Sequence, residues 1–170
     1  MSAWNNFFLQ KMGYSTGTTP YPVKESVASW GVWCKSIPFK ILDKVKDPAK
    51  RNWYDQHGDD EYMPSEGLYI EAYTMKVEFG IRSTATSSGG TTIPADKNVR
   101  DKMQSFIDYL RTSGMMKMYS SYTRVGRQYV RLEAINDNAK WQKGEDGYWF
   151  LIFEMTFKVN DPVTDITLSA

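Results

Sequence analysis

The residues with the most chemical potential form one short acidic stretch, in which Asp55, His57, Asp59, Asp60 and Glu61 lie within seven positions. Carboxylates and an imidazole at this spacing could hold a divalent cation. The stretch lacks the ligand order of an EF-hand loop, however, and the sequence contains only one histidine. We interpret it as a solvated acidic loop, predict no metal site and no cofactor, and leave open whether the loop binds a cation.

No other set of residues predicts catalysis. A nucleophilic serine, cysteine or threonine needs a neighbouring base, and neither Cys34 nor any serine lies in a recognisable signature with His57. The glycine-rich run at residues 88–91 lacks the lysine that follows in a phosphate-binding loop. We therefore predict that the chain has no catalytic residues and is not an enzyme, and the competing enzyme hypothesis would centre on His57.

A second group of residues suits binding rather than catalysis. Three tyrosines and three arginines fall in one predicted hairpin: Tyr119, Tyr122, Arg124, Arg127, Tyr129 and Arg131. Such a mixture can bind single-stranded nucleic acid by stacking and phosphate contacts, and it is equally typical of protein interfaces. Because the formal net charge is only +1, we favour a protein interface and predict no sequence-specific nucleic-acid partner.

The composition is typical of one folded domain. Of the 170 residues, 41% are hydrophobic and 15% aromatic, enough for a sizeable core and too many for a disordered chain. The single cysteine, Cys34, has apolar neighbours and is predicted to be a buried hydrophobic side chain. The chain shows neither a secretory signal nor an apolar run of roughly 18 residues, so we predict no membrane partner.

Two parts are predicted, an N-terminal arm at residues 1–30 and a β-sandwich domain at residues 31–170. The arm combines the apolar residues Trp4, Phe7 and Phe8 with a run of glycines, threonines and prolines that resists regular structure. It would either dock on another protein or pack on its own domain. Long loops are predicted at residues 43–64 and 82–95, where polar and turn-forming residues predominate.

The domain is predicted to consist of strands with one helix. Alternating apolar residues predict a long half-buried strand at residues 69–81, and a helix is predicted from an N-cap at Asp96 to a stop at Gly114. Strands at 115–122 and 127–135 would be joined by a hairpin in which Gly126 supplies a positive φ. After a polar loop at 136–147, a final strand reaches residue 159 and is central in its sheet. We predict a mainly β fold with one flanking α-helix, an antiparallel β-sandwich or barrel.

From Glu66 to Ile166 the order of these elements resembles tail components of tailed bacteriophages and related prophages. The residues that carry the resemblance are EAYTMKVEF at 71–79, FIDYL at 106–110, MYSSYT at 118–123, YVRL at 129–132 and FKVNDP at 157–162. The pattern is similar to the β-sandwich of distal tail proteins and, in architecture, to the tail-tube fold.

The resemblance implies a structural role in the virion tail, with the protein made in the cytoplasm of the bacterial host. Copies would form a homo-oligomeric ring, a hexamer, around the tail channel and would contact neighbouring tail proteins, in a tube, distal-tail, terminator or connector position. The strand at 69–81 and the loop at 82–95 would join the subunits. The predicted interface residues are Trp4, Phe7, Phe8, Tyr69, Tyr73, Tyr119, Tyr122, Arg124 and Arg127.

One alternative belongs to a different class, a carbohydrate- or ligand-binding β-sandwich module. Trp53, Tyr54, Trp141 and Tyr148 are predicted to lie near loops. Aromatic rings exposed in such places offer flat apolar faces on which sugars can stack.

Overall fold

The computed structural model describes residues 4–41 and 43–168, apart from the side chain of residue 137. Residues 1–3 of the predicted arm and residues 42, 169 and 170 of the predicted domain lie outside the described residues. The helices are α1 (Ser26–Trp30) and α2 (Ala95–Ser113). The strands are β1 (Phe7–Lys11), β2 (Tyr14–Thr16), β3 (Thr19–Pro20), β4 (Lys24–Glu25), β5 (Val32–Cys34), β6 (Lys50–Arg51), β7 (Asp60–Glu61), β8 (Tyr73–Ser83), β9 (Thr86–Ser88), β10 (Thr91–Ile93), β11 (Met116–Ser120), β12 (Gly126–Lys143) and β13 (Trp149–Val159).

Seven strands form one sheet in the order β4-β1-β11-β12-β13-β8-β5, with neighbours antiparallel. The sheet curls into a half-barrel, and the predicted mainly β class is confirmed. Beyond β5, Asn5 exchanges two backbone hydrogen bonds of 2.8 and 2.9 Å with Cys34. Because Asn5 leads directly into β1, these bonds draw the two sides of the sheet toward each other.

The concave face of the sheet packs against α2 around an aromatic centre. The Phe106 ring lies 5.3 Å from that of Phe79, 5.4 Å from Trp30, 6.0 Å from Phe7 and 6.5 Å from Phe153, measured between centroids. All five side chains are buried. Full burial of one such side chain contributes roughly 1.5–3 kcal/mol, so this centre is where the helix is held on the sheet.

Buried and more exposed side chains alternate along β8 and β13, as the sequence predicts. In β13 every second residue from Leu151 to Val159 is buried, and in β8 every second residue from Tyr73 to Ser83 is buried. The strand predicted at 69–81 begins later, because the backbone of Tyr69 and Ile70 pairs with residues 45 and 46 of another hairpin. Strand β8 lies between β13 and β5, so much of its length is paired within the chain.

The ends of α2 show one correct and one wrong prediction. Gly114 ends the helix at φ 64°, a conformation that favours glycine. Asp96 is not the N-cap, because Pro94 takes that position with an extended backbone and makes no side-chain cap hydrogen bond. Asp96 lies in the first turn instead, where its carboxylate accepts a 3.3 Å bond from Arg100 and complements the helix dipole.

The hairpin between β11 and β12 also differs from the prediction. The positive φ belongs to Arg124, at 57°, and not to Gly126. Glycine is needed at 126 because a Cβ there would stand 2.8 Å from Cγ1 of Ile166. Strand β12 then runs through most of the loop predicted at 136–147, since bulges within β12 let its distant half keep pairing with β13.

The described part of the predicted arm packs on its own domain. Strand β1 pairs with β11 and β4, and its residues Phe7 and Leu9 are fully buried. The short helix α1 follows, a second helix that the sequence patterns did not predict, with the Glu25 carboxylate accepting from two backbone amides of its first turn. Cys34 is buried as predicted, and desolvation raises the pKa of its thiol to about 12.

The two predicted loops each contain a small hairpin. Strands β9 and β10 pair within residues 82–95, and β6 pairs with β7 within residues 43–64. Backbone bonds from Glu71 to Lys44 and from Lys46 to Tyr69, of 2.8 and 2.7 Å, extend the second hairpin at its base. We call residues 44–71 the hairpin arm. Among the described residues, no helix has the length and apolar character required to cross a membrane.

Candidate protein-interaction surfaces

The outer face of the sheet, opposite α2, carries an apolar groove where β5, β8 and β13 run side by side. The register places Gly80 between Trp33 and Ile152. Because Gly80 has no side chain, the Trp4 ring lies over it, and a Cβ at this position would be 3.1 Å from that ring. Trp4 and Trp33 remain 37% and 38% exposed, which leaves two tryptophans available to another molecule.

This aromatic groove (Trp4, Trp33, Gly80, Phe150 and Ile152) has a volume of about 430 Å³. At its rim the guanidinium of Arg82 lies 3.9 Å from the Tyr148 ring centroid and forms a 3.3 Å ion pair with Asp146. A concave apolar surface with a polar rim is typical of the anchor pockets of protein interfaces.

The predicted interface residues fall into three groups. Trp4, Tyr69, Tyr122 and Arg124 are exposed. Phe8 and Tyr119 are half-buried, with ring centroids 6.2 Å apart, and they line a second groove with Val23. Phe7, Tyr73 and Arg127 are buried inside the chain, so another subunit could not contact them without local unfolding.

The buried Arg127 side chain links distant parts of the chain by hydrogen bonds. Its guanidinium donates to the backbone oxygens of Gly126 and Lys40, at 3.1 and 3.4 Å, and to the carboxylate of Asp165. Nε is buried without a hydrogen-bond partner among the residues that the structure describes. Arg127 therefore joins the hairpin end to residue 40 and to the last described residues of the chain.

Residues 161–168 form a strap across the outer face, held by Arg127 and by Asp161. Desolvation acts to raise the pKa of Asp161, but hydrogen bonds from Gln128, Thr164 and Val163 outweigh it and hold the pKa below its ordinary value. The Gln128 bond is 2.7 Å long. Ile166 packs over Gly126, and this contact gives the strap an apolar anchor.

Acidification is expected to loosen the strap at this carboxylate. A depressed folded-state pKa gives stability that is present above the unfolded value, about 3.9, and is lost as pH falls through the folded value. Amide resonances of Val163 and Thr164 in a two-dimensional NMR titration should therefore shift with a midpoint below about pH 3.9. In Asp161→Asn this transition should disappear, and a wild-type midpoint above that value would contradict the assignment.

The acidic stretch lies on the hairpin arm. Asp59 accepts from Asn52 at 2.9 Å and lies 3.6 Å from Nζ of Lys50. Among residues 4–41 and 43–168, no three histidine, cysteine, aspartate or glutamate side chains converge in a way that could hold a metal ion.

Arginine side chains stack on two of the aromatic rings that the sugar-binding alternative would use. Arg82 stacks on Tyr148, and the Arg51 guanidinium lies 5.7 Å from the Trp53 ring centroid. Trp141 packs edge-on against Trp149, with centroids 6.2 Å apart. These rings do not form one shared platform.

Of the side chains that make the aromatic groove, sequence patterns predict Trp4 as an interface residue and do not identify Trp33, Phe150 or Ile152. Trp33 is one of the apolar neighbours of the buried Cys34. The first half of β13 is apolar on both faces, a pattern that predicts a central strand. That double-sided pattern was the available signal, since an apolar outer face also arises where a sheet offers a docking surface.

Comparisons with known proteins support a phage-related fold. No protein-family model matches the chain, and no curated protein matches it. The crystal structure of the Dit protein of phage SPP1 matches with a TM-score of 0.50 and 13% sequence identity, over 92% of this chain and 50% of that one. That protein is described as a paradigm of the hub adsorption apparatus in phages that infect Gram-positive bacteria. At this identity the match shows the fold alone, and the predicted resemblance to phage tail proteins is confirmed at that level.

Proposed function

We propose that the chain is a structural component of a phage tail whose copies assemble into a ring around the tail channel. The observation that carries the proposal is the fold match to a hub protein over 92% of the chain. The chain spans about half the length of that protein. The proposal therefore concerns only the half of a hub protein that has this fold. It would act in the virion tail after synthesis in the host cytoplasm.

The surface features support assembly. Two tryptophans of the aromatic groove are more than a third exposed. The hairpin arm also carries exposed apolar side chains along its length. Large exposed apolar patches are uncommon on proteins that act alone, and they commonly mark interfaces. The role is therefore mechanical, with no reaction step assigned to any residue.

The partners would be other copies of the chain and adjacent tail proteins. A closed ring uses one surface of each copy against a different surface of the next. We propose six copies. We assign the contact surfaces to the aromatic groove and to the exposed and half-buried members of the predicted set, which are Trp4, Phe8, Tyr69, Tyr119, Tyr122 and Arg124. Phe7, Tyr73 and Arg127 are left out because they are buried.

Ring formation is tested directly by imaging and by sedimentation. We expect negative-stain micrographs of the purified chain to show rings with a central opening, and sedimentation velocity to show a species of about six chain masses at concentrations on the order of 10–100 μM. Trp33→Ala removes an exposed aromatic anchor and should shift this species toward the monomer by about tenfold in concentration or more.

The control is Tyr14→Ala, which removes another exposed aromatic side chain, 64% accessible, that does not line the aromatic groove. It should assemble as the wild-type chain does. A wild-type chain that sediments only as a monomer over the whole range would contradict the proposal.

A further inference from the structure

The hairpin arm exposes a series of apolar side chains. Between residues 44 and 69 nearly every residue is exposed. Its large apolar side chains, from 39% to 99% accessible, are Val45, Trp53, Tyr54, Tyr62, Met63, Leu68 and Tyr69. Backbone hydrogen bonds between residues 44 and 71 and between residues 46 and 69 close the base of the arm, and the exposed side chains of its tip are available to a partner.

The tip of the arm is also strongly acidic. Residues 52–66 contain five acidic side chains and no lysine or arginine. Among the acidic side chains that the structure describes, Asp47, Asp55, Asp60, Glu61 and Glu145 make no hydrogen bond or ion pair. Four of these five lie on the arm, which therefore presents negative charge that its own chain does not neutralise.

The complementary charge lies on the outer face of three adjacent strands. Arg131 of β12 stands directly opposite Lys158 of β13, and like charges in such a pair destabilise a sheet. Lys117 of β11 lies on the same face, because its neighbours Met116 and Met118 are both buried. We call Lys117, Arg131 and Lys158 the basic stripe.

The basic stripe has few ionic partners among the described residues. Lys117 and Lys158 form no ion pair with any of them. Arg131 pairs with Glu133 at 3.9 Å and donates a 3.4 Å hydrogen bond to the backbone oxygen of Leu132. On the same face lies the groove lined by Phe8, Val23 and Tyr119, with a volume of about 440 Å³. Cations beside an apolar groove suit a segment that carries both carboxylates and aromatic rings.

We propose that the acidic tip of the hairpin arm of one copy binds the basic stripe of a second copy. This inference rests on the proposed assembly and names the surfaces that it would use. Asp60 and Glu61 would approach the stripe, and an aromatic residue of the arm would enter the groove beside Tyr119. The pairing uses two different surfaces, so it can continue from copy to copy around a ring.

Charge reversal on either surface tests the proposal. In the full chain, Asp60→Lys with Glu61→Lys, or Lys117→Glu with Lys158→Glu, is expected to weaken self-association by about tenfold or more, measured by sedimentation at low salt. Combining all four substitutions restores opposite signs and should recover most of the loss. The matched control is Glu145→Lys, which reverses an equally unpaired carboxylate outside the arm and should leave association unchanged.

Salt gives a second, independent readout. Association of the wild-type chain should weaken as NaCl rises from about 0.05 M to about 0.5 M, because exposed charges are screened over shorter distances. The arm variant should have lost most of this dependence. Circular dichroism melting should be unchanged in every variant, since the substituted side chains lie outside the core.

The outcomes separate this inference from the proposed function. If rings form and the charge reversals leave association and its salt dependence as in the wild type, the arm–stripe contact is overturned while the ring stands. If the combined variant associates no better than either single-surface variant, the pairing of these two surfaces is overturned. If the wild-type chain never associates, both proposals fall together.

Discussion

Replacing Phe106 by alanine is expected to lower the free energy of unfolding by about 3–5 kcal/mol. The Phe106 side chain is fully buried and contacts four aromatic rings, two from the sheet strands β8 and β13 and two from the segments of β1 and α1. Its removal leaves a cavity where the helix, the sheet and the N-terminal segment meet. Urea denaturation followed by circular dichroism measures the change.

The matched control is Tyr54→Ala, since the Tyr54 ring is 99% exposed. Its unfolding free energy should stay within about 0.5 kcal/mol of the wild type. A loss below about 1 kcal/mol in Phe106→Ala would show that α2 is not held on the sheet by this aromatic centre.

Asp165→Ala is expected to destabilise the fold by about 1–3 kcal/mol. The substitution removes the carboxylate partner of Arg127, whose guanidinium is only 3% exposed, and leaves a buried positive charge without compensation. The expected loss lies below that of a fully buried pair, because the Asp165 side chain itself is 76% exposed and partly solvated. Thermal melting and urea denaturation would both report it.

A second substitution distinguishes loss of charge compensation from loss of the strap. Arg127→Leu removes the buried charge, so adding it to Asp165→Ala should recover part of the stability that the single change loses. The comparison for the strap alone is Thr167→Ala, at an exposed position two residues away, which should be close to neutral. A double variant less stable than Asp165→Ala would contradict the proposed origin of the effect.

Much of the core was predictable because its signals are local. The period-2 pattern of residues 149–159 places each buried side chain of β13 correctly, and the apolar stripe of residues 99–110 identifies the buried face of α2. Glycine at 114 marks the helix end for the same reason, since a left-handed residue there depends only on its own backbone.

The wrong predictions concern elements whose state depends on distant partners. Residues 136–143 are polar and were predicted to be a loop, yet they extend β12 because β13 offers a neighbouring backbone along its whole length. Residues 69–72 alternate like the strand that follows, yet residues 69 and 70 belong to the hairpin arm. A polar segment can form a strand when a neighbouring strand supplies partners for its backbone hydrogen bonds.

The sequence by itself determined the mainly antiparallel class, the buried periodicity of the long strands and helix, the solitary histidine in an acidic loop and the resemblance to phage tail proteins. The tertiary structure decided which residues meet. Trp4 lies over Gly80, and the buried Arg127 pairs with Asp165. Lys158 stands opposite Arg131 on the neighbouring strand. Periodicity tells which side of an element is buried, because it follows from backbone geometry alone. Which elements become neighbours is set by non-local pairing and packing, and only those neighbours turn scattered aromatic and charged residues into surfaces.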